Sequence, residues 1–279
     1  MATNNFIPTV WSENLYRELT KKYIAVANSN REYEGEIKQK GDTVKICGVG
    51  NISVYDYVKN SDLYTPDEIS KQTCDLVIDQ AKYFNFQIDD IDRAQADPRL
   101  MGLAMKNAAD AIANDADKFI YGLYSEAGKS LTAEVSVDTI FDKLIEARTL
   151  LAKSNVTDPS DIVFEVSPDI AALILKAKVN LATENTDALE NGCIGSIAGC
   201  KIFVSNNIYR IQSDLGAIEH KCLARTKRAI AYAEQISEII AYRPELRFAD
   251  AVKGLHLYGA KTVYPSEMVL MNFSIAEQA

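Results

Sequence analysis

The chain has 279 residues, of which 47 % are hydrophobic and 25 % are charged, values that are ordinary for a folded globular protein. Its net charge of −9 argues against sequence-independent DNA binding, which depends on lysines and arginines that neutralise phosphates. No apolar run approaches the roughly 20 residues that span a bilayer, and the first residues lack the basic start and apolar segment of a signal peptide. We therefore expect a protein without a membrane segment that is made and kept in the cytosol.

Five cysteines occur in the chain, and their number and spacing argue against a metal or redox site. The count is odd, and no two cysteines form the C-x-x-C pair of a zinc ribbon or a redox motif. Each lies beside apolar residues, so the sequence predicts reduced, buried thiols. The cysteines are Cys47, Cys74, Cys193, Cys200 and Cys222.

The N-terminal part of the chain predicts an arm followed by a long two-stranded ribbon. Residues 1–34 form a polar segment that contains the only tryptophan, Trp11. Alternation of apolar and polar side chains predicts one strand over 42–49 and a second over 73–88. Residues 41–90 hold nine acidic and four basic residues, a net charge of −5. Because a two-stranded ribbon alone is marginal in water, we expect these strands to pack on another surface, with other copies of the chain as candidate partners.

A long amphipathic helix is predicted over residues 97–124. Asp97-Pro98 suits its first turn, where proline is tolerated, and apolar residues then recur at helical spacing along one face. The apolar face carries Met101, Met105, Ala108, Ile112, Ala116, Phe119 and Leu123. The polar face carries Lys106, Asn107, Asp110, Asn114, Asp117 and Lys118. A second helix, capped by Ser136, is predicted to reach Ala152.

The second half of the chain predicts shorter strands and helices between turns. A helix follows Ser167-Pro168 and covers 169–178. The segment 226–240 is amphipathic, and either a helix or a strand fits its pattern. Gly259 predicts a turn that joins the last two strands. The predicted strands cover 162–166, 201–205, 251–260 and 261–275.

One short motif resembles part of a phosphate-binding loop. Gly128-Lys129-Ser130 matches the end of that loop, whose backbone N–H groups wrap the phosphates. The loop also requires a glycine five residues before Gly128, and that position holds Leu123. The motif follows a predicted helix instead of a strand, so we interpret it as a turn that ends the helix.

Candidate catalytic and metal-binding residues are few, and structural interpretations fit them better. Asp89, Asp90 and Asp92 lack the glycine and glutamate that an EF-hand needs, and a solvated junction between strand and helix explains them. An acidic metal-dependent enzyme that uses these aspartates is the alternative. His220 and His256 occur in no triad or metal-binding sequence, so structural roles are expected. No catalytic, cofactor-binding or metal-binding residue is therefore predicted.

A basic cluster stands out against the acidic background of the chain. Lys221, Arg225, Lys227 and Arg228 lie close together in the sequence. Both a solvated surface and a contact with another subunit are consistent with this spacing.

Four stretches, in order along nearly the whole chain, resemble the major capsid proteins of tailed bacteriophages with the Hong Kong 97-type fold. The first is similar to the start of that family's extended loop, and the second to the strand that returns from the loop and the long spine helix. The third is similar to a turn and strand of the family's axial domain, and the fourth to the closing strands that return to the peripheral domain. The stretches are GDTVKICGVGNISVYDYVKN (41–60), DQAKYFNFQIDDIDRAQADPRLMGLAMKNAADAIANDADKFIYGLY (79–124), NGCIGSIAGCKIFVSNN (191–207) and KGLHLYGAKTVYPSEMV (253–269).

The resemblance implies an α+β fold of the Hong Kong 97 type with an N-terminal arm, an extended β-hairpin loop, a peripheral domain that contains the spine helix, and an inserted axial domain. Because the arm is polar, a chain that lacks residues 1–30 is expected to stay folded and to lose the ability to form closed shells. The implied domains are the arm at 1–34, the extended loop at 35–90, the peripheral domain at 91–158 completed by 248–273, and the axial domain at 159–247.

The resemblance also implies a structural function. Many copies of the chain would close into an icosahedral shell that encloses phage double-stranded DNA, and no catalytic residue or cofactor is required. The implied partners are other copies in hexamers and pentamers, a separate scaffolding protein, a portal, and DNA contacted without sequence specificity. The implied location is the virion capsid, and the host cytoplasm before assembly. An encapsulin-like nanocompartment shell that encloses a cargo enzyme is the alternative with the same fold.

Residues of the arm, the extended loop and the start of the long helix are expected to contact neighbouring subunits. Some family members crosslink a loop lysine to an asparagine of a neighbour. That pairing needs a nearby glutamate, which this sequence does not place, so no crosslink is expected. The expected contact residues are Trp11, Lys45, Tyr55, Tyr57, Asp75, Asp79, Arg93 and Arg99.

Overall fold

A computed structural model describes residues 23–33, 41–49, 59, 71–89, 100–177, 193–212 and 216–276. Within these ranges the α-helices are α1 (Leu100–Gly122), α2 (Ile140–Ala152) and α3 (Pro168–Lys176). The strands are β1 (Thr43–Val49), β2 (Lys71–Val77), β3 (Gln80–Asp89), β4 (Lys129–Val135), β5 (Ile162–Val166), β6 (Cys193–Ile197), β7 (Cys200–Val204), β8 (Arg210–Gln212), β9 (Ile218–Thr226), β10 (Ile230–Tyr242), β11 (Ala249–Thr262) and β12 (Met268–Ile275). None of the described helices is long and apolar enough to cross a membrane.

The long helix α1 packs beside an antiparallel three-stranded sheet in the order β10-β11-β3. Alanines at 109, 113 and 116 are buried on the helix and let it approach the core closely. The ring of Phe119 meets Tyr258 of β11 edge-on at 5.6 Å between centroids, and the Tyr258 hydroxyl donates to Asp115 at 2.6 Å. These contacts fix the helix lengthwise against β11.

A larger mixed sheet contains seven strands in the order β4-β12-β9-β5-β7-β6, with β8 paired to one edge of β9. Helix α2 packs on β4, β9 and β12, and α3 packs on α2. All five residues of β5 are buried, as expected for a strand in the middle of a covered sheet. Apolar residues of both sheets and of the three helices form one continuous core cluster.

The strand predicted over 73–88 is wrong in one respect, because it is two strands. β2 pairs with β1 in a hairpin, whereas β3 pairs with β11 in the three-stranded sheet, and the chain turns a corner at Ile78–Asp79. Leu76 and Ile78 point into a small cluster beneath the hairpin, whereas Phe84 and Phe86 face the main core. The apolar residues of both strands thus share even-numbered positions although they enter different clusters, and the polar residues Gln80 and Lys82 interrupt the series after the corner.

The turn predicted at Gly259 is also wrong. Gly259 lies within β11, which continues to Thr262, and the break comes later at a short 3₁₀ turn, Pro265–Glu267. A Cβ atom at Gly259 would lie 2.3 Å from the carbonyl oxygen of Val77. Glycine is required there because the β2–β3 corner approaches the β11 backbone, and not because the chain reverses.

Three further expectations are settled by the described residues. The segment 226–240, for which helix and strand were both open, is the end of β9, a 3₁₀ turn at Lys227–Ala229 and most of β10. Ser136 does not cap α2, because a turn intervenes and Thr139 takes the N-cap position. On α1, Lys106, Asn107, Asn114 and Lys118 are exposed as predicted, but Asp117 is buried at 2 % exposure.

The sheets do not follow the predicted domain division. Strands β4 and β12, which belong to the large sheet, fall in the ranges 91–158 and 248–273 that were predicted as peripheral domain. Strand β10, which belongs to the three-stranded sheet, falls in the range 159–247 that was predicted as axial domain. Strand pairing joins distant segments, so boundaries drawn along the sequence separate strands that share a sheet.

Candidate functional site

The structure describes three of the eight residues expected at subunit contacts. Lys45 and Asp75 are exposed partners in the β1–β2 register, and Asp79 is exposed at the corner between β2 and β3. Opposite charges on directly paired residues of antiparallel strands attract each other. Part of the loop's acidic charge therefore faces a lysine of the same hairpin. Trp11, Tyr55, Tyr57, Arg93 and Arg99 lie outside the described residues.

The β1–β2 hairpin has one buried and one exposed face. Val44, Ile46, Leu76 and Ile78 are buried, and they pack against the three-stranded sheet at Ala231, Ala233 and Leu257. The alternate positions, Thr43, Lys45, Asp75 and Val77, are exposed. The hairpin is therefore held by its own subunit through one face, and its other face is open to contacts.

Three exposed apolar side chains add candidates that the sequence prediction missed. Leu246 and Phe248 lie in the turn between β10 and β11 and are 96 % and 85 % exposed. Tyr83 on β3 is 80 % exposed. Large apolar groups in a polar turn are the sequence signal that would have identified the first two, and exposed apolar groups of this kind are typical of interaction surfaces.

A short segment, residues 23–33, enters the core and is here named the strap. Its side chains Tyr23, Ala25 and Val26 are buried. The backbone N–H groups of Ile24 and Val26 donate to the two carboxylate oxygens of Asp117 at 3.0 and 3.1 Å. Burial raises the pKa of Asp117 to about 7, although these hydrogen bonds oppose the rise.

The second strap contact is a buried ion pair in the large sheet. Arg225 of β9 and Glu165 of β5 are both fully buried, and the guanidinium donates to both carboxylate oxygens at 2.8 and 2.9 Å. The same guanidinium donates to the backbone oxygens of Ala25 and Asn28 at 3.0 and 2.6 Å. Burial raises the pKa of Glu165, and Arg225 opposes that rise.

This pair corrects the interpretation of the basic cluster as solely a solvated face or a subunit contact. Arg225 is an internal residue, Lys221 bonds Glu219 and Asn272, and Arg228 bonds Glu267. Of the four, only Lys227 and Arg228 are exposed. The signal that marked the pair was Glu165, a charged residue inside the apolar run of a strand predicted to be buried.

The third strap contact surrounds Glu234 of β10. Its carboxylate accepts from the hydroxyls of Tyr23 and Tyr232 at 2.5 and 2.9 Å, and from Arg31 at 2.7 Å. The Nε2 of His256 lies 2.9 Å from the same carboxylate. Burial alone would raise the pKa of Glu234, but His256 and Tyr23 hold it below its usual range. His256 thus has the structural role predicted for it.

A serine, a histidine and an aspartate also lie together, and their geometry differs from a catalytic triad. Ser167 Oγ is 2.8 Å from His220 Nδ1, and Asp169 Oδ2 is 3.9 Å from the same nitrogen. A triad needs the serine and the acid on opposite ring nitrogens. Ser167 also caps α3 by accepting from Ile170 N–H, so the cluster orders the start of that helix.

Lys129, the lysine of the motif that resembles a phosphate-binding loop, has a structural role. Its Nζ donates to the carbonyl oxygen of Leu150 at 2.6 Å and also bonds Ser154 Oγ. A cation at the last turn of α2 stabilises the exposed carbonyls of that helix end. Gly128 follows the 3₁₀ turn after α1, as the interpretation of a helix-ending turn predicts.

Metal-binding and thiol chemistry find little support within the described ranges. No group of three or more metal-ligating side chains occurs among these residues, and of the aspartates at 89, 90 and 92 only the backbone of Asp89 is described. Cys193, Cys200 and Cys222 are free and buried, as predicted, and Cys74 is half-buried and free. Burial raises the pKa of Cys200 to about 11 and that of Cys222 to about 12, which keeps both thiols protonated and unreactive.

The fold and the sequence both match a solved phage protein along nearly the whole length of the two chains. A structure from Mycobacterium phage Che8 is 33 % identical to this chain; the match covers 97 % of this chain and 98 % of that one, with a TM-score of 0.69. The chain belongs to the major capsid proteins of tailed bacteriophages with the Hong Kong 97-type fold. It is a structural protein whose copies assemble into a shell, and its place is the virion capsid.

More distant structures share the fold of this capsid protein. The capsid structure of cyanophage P-SCSP1u is 13 % identical to this chain. The match covers 91 % of this chain and 90 % of that one, with a TM-score of 0.68. A virus-like particle from Pyrococcus furiosus is 12 % identical to this chain. That match covers 96 % of this chain and 100 % of the other, with a TM-score of 0.58. No family model and no curated protein matches the sequence. The nanocompartment alternative is less favoured, since the more identical relative comes from a phage.

Proposed function

We propose that the chain builds an icosahedral shell of hexamers and pentamers that encloses phage double-stranded DNA, and that it catalyses no reaction. The observation that carries the proposal is the 33 % identity with the phage Che8 structure over nearly the full length of both chains. A shell subunit acts through geometry, so the buried Ser167, His220 and Arg225 clusters serve the fold instead of chemistry.

In this proposal the exposed face of the β1–β2 hairpin contacts a neighbouring subunit. Lys45, Asp75 and Asp79 supply exposed charges there. The arm residue Trp11, the loop residues Tyr55 and Tyr57, and the arginines Arg93 and Arg99 would add contacts. The apolar side chains Leu246 and Phe248 form a second proposed surface and Tyr83, farther along the sheet, a third, because burying them against another copy removes apolar area from water.

The domain division that we propose follows the sheets. The three-stranded sheet with α1 would be the peripheral domain, and the seven-stranded sheet with α2 and α3 would be the axial domain. The hairpin β1–β2 would be the base of the extended loop. This division keeps every strand with its hydrogen-bonded partners.

The proposed partners beyond the chain itself are a separate scaffolding protein, a portal and the packaged DNA. DNA would be contacted without sequence specificity, and the contact would be weak because a net charge of −9 gives little attraction for phosphates. Subunits would be present in the host cytoplasm before they assemble.

Electron microscopy of the purified, overexpressed full chain tests the proposal. Shells, tubes or capsomers of the chain alone or with its scaffold are the expected products. Particles isolated from producing cells should contain double-stranded DNA. Particles that instead contain one co-purifying enzyme and no DNA would favour the nanocompartment, and a chain that stays monomeric under all assembly conditions would contradict shell formation.

A further inference from the structure

The strap touches three carboxylates that belong to three different parts of the fold. Asp117 lies on the long helix α1, Glu165 on the seven-stranded sheet and Glu234 on the three-stranded sheet. Hydrogen bonds join the strap to all three groups, directly to each carboxylate and also through Arg225. One short segment therefore holds the helix and both sheets together.

The strap is attached through polar groups and through the buried side chains of Tyr23, Ala25 and Val26. Its backbone pairs with β10 only at one bridge, where Asn30 N–H donates to Ile230 at 2.9 Å and Tyr232 N–H donates to Asn30 at 2.8 Å. Its other described hydrogen bonds to the body run to side chains. A segment held in this way can leave without breaking a β-ladder, so its opening costs less than unfolding a sheet.

Two of the three carboxylates keep partners in the body if the strap leaves. Glu165 retains both hydrogen bonds from Arg225, and Glu234 retains Tyr232 and His256. Strap release removes Arg31 from its ion pair with Glu234 and the two N–H donors from Asp117, whereas the fully buried Arg225–Glu165 pair stays whole. The body therefore keeps its fully buried ion pair when the strap leaves.

We propose that residues 23–33 are a releasable strap that, when bound, fixes α1 and the two sheets in one arrangement and, when released, lets them shift while each sheet stays folded. The residues before the strap are those proposed to reach a neighbouring subunit. A contact made by the arm would thereby be transmitted to the sheets of its own subunit. This second step rests on the proposed function, whereas the first concerns the single subunit.

Hydrogen exchange measured by mass spectrometry on the unassembled full chain tests the first step. Peptides that cover the strap should exchange faster than peptides of β5 and β9, because the strap opens without the sheets. Tyr23→Phe removes one hydrogen bond to Glu234 and keeps the ring, so strap exchange should rise at least about tenfold. Exchange in β5 and β9 should not change.

Tyr242→Phe is the matched control. Tyr242 lies on β10, the strand that also carries Glu234, and the substitution removes the hydrogen bond that the Tyr242 hydroxyl donates to Asn85 of β3. It should leave strap exchange unchanged. Strap and sheet peptides that exchange at one common rate in the parent chain and in Tyr23→Phe would overturn the releasable strap.

The second step is tested by comparing strap exchange in assembled shells and in free subunits. Arm contacts should slow strap exchange at least about tenfold, since binding that requires the closed strap stabilises it. Equal strap exchange in both states would overturn the transmission of arm contacts. Failure to form shells would contradict the proposed function and would leave the result on free subunits standing.

Discussion

The carboxyl group of Asp117 is costly to bury in its charged form. It has been removed from water at the centre of the strap contact, and burial raises its pKa to about 7 even though two backbone N–H groups donate to it. Glu165 faces it from β5 and adds to the rise, while Arg225 on β9 and the hydroxyl of Tyr121 lie in the same buried region. The folded state therefore holds the Asp117 proton more tightly than the unfolded chain does.

The pH dependence of stability follows from this difference. A carboxyl with a raised folded-state pKa contributes stability at low pH, and this contribution is lost as the pH rises through the folded-state value. We expect the Asp117 part of the free energy of unfolding to fall between about pH 4 and about pH 7. Urea titrations over this range measure the free energy of unfolding of the parent subunit and of Asp117→Asn. The difference between the two gives the Asp117 contribution without the opposite contribution of Glu234, which both proteins share.

Asp117→Asn cannot ionise, so the difference between the two profiles should change across this range and then level off. Asp142→Asn, which removes an exposed carboxyl on α2, is the control for the change of charge itself. Parallel profiles for Asp117→Asn and the parent chain would show that Asp117 does not titrate in this range.

At the scale of elements, the approach of the β2–β3 corner to β11 depends on Gly259. Because a Cβ there would lie 2.3 Å from a backbone oxygen, Gly259→Ala should force the corner away and lower the free energy of unfolding by at least about 2 kcal/mol. Thermal unfolding of the free subunit measures the loss.

Gly102→Ala is the matched control, because Gly102 lies on α1 with nothing within 4 Å of its added Cβ. Alanine favours a helix over glycine by about 0.5–1 kcal/mol, so this variant should be slightly more stable than the parent chain. Equal and small effects of both substitutions would mean that the corner moves at little cost.

The sequence predicted most helices and strands because their burial is one-sided and periodic. It merged β2 and β3 across the corner at Ile78–Asp79, since the apolar residues of both strands share even-numbered positions although they enter different clusters; the interruption at Gln80 and Lys82 was the one signal of the corner. Nor could it place the strap contacts. Asp117 has polar neighbours on α1, and only the three-dimensional approach of residues 23–33 makes it an internal residue.

At the scale of the whole molecule, the strap changes the expectation for an arm deletion. Removal of residues 1–30 would take away the buried Tyr23, Ala25 and Val26 as well as the partners of Asp117. Deletion of 1–22 should leave the free energy of unfolding of the free subunit nearly unchanged. Deletion of 1–33 should lower it by at least about 3 kcal/mol, the scale of burying two large side chains.

Circular dichroism and urea unfolding of the two truncated chains distinguish these cases. The shorter deletion is the control for the loss of the arm itself. Equal stability of the two deletions would mean that the strap contributes little, and would return the arm boundary to the position drawn from the sequence.

Assembly of the shell should depend on salt, because the loop region 41–90 carries a net charge of −5 and would repel like-charged loops unless a neighbour supplies basic groups. The structure reduces the number of basic residues that could face the acidic loop of a neighbouring subunit. Arg225 is buried with Glu165, whereas Lys227 and Arg228 are exposed, and Arg93 and Arg99 remain predicted partners.

Each exposed pair is worth only about 0–1 kcal/mol, but repetition at every interface changes the yield of a closed shell. Charges at the surface are screened over about 10 Å at 0.1 M salt, so light scattering from about 0.05 M to about 1 M salt should show a falling shell yield. Asp75→Asn with Asp79→Asn should assemble less well at low salt and respond less to salt.

Of the single variants, Asp79→Asn should have the larger effect, because Asp75 already faces Lys45 within its own hairpin. The control for the single variants is Asp138→Asn, which also removes one negative charge but at an exposed site outside the loop. Its shell yield should follow that of the parent chain at every salt concentration. A yield that rises with salt, and rises less in the double variant, would mean that loop charge opposes assembly and that the loop is not the acidic partner.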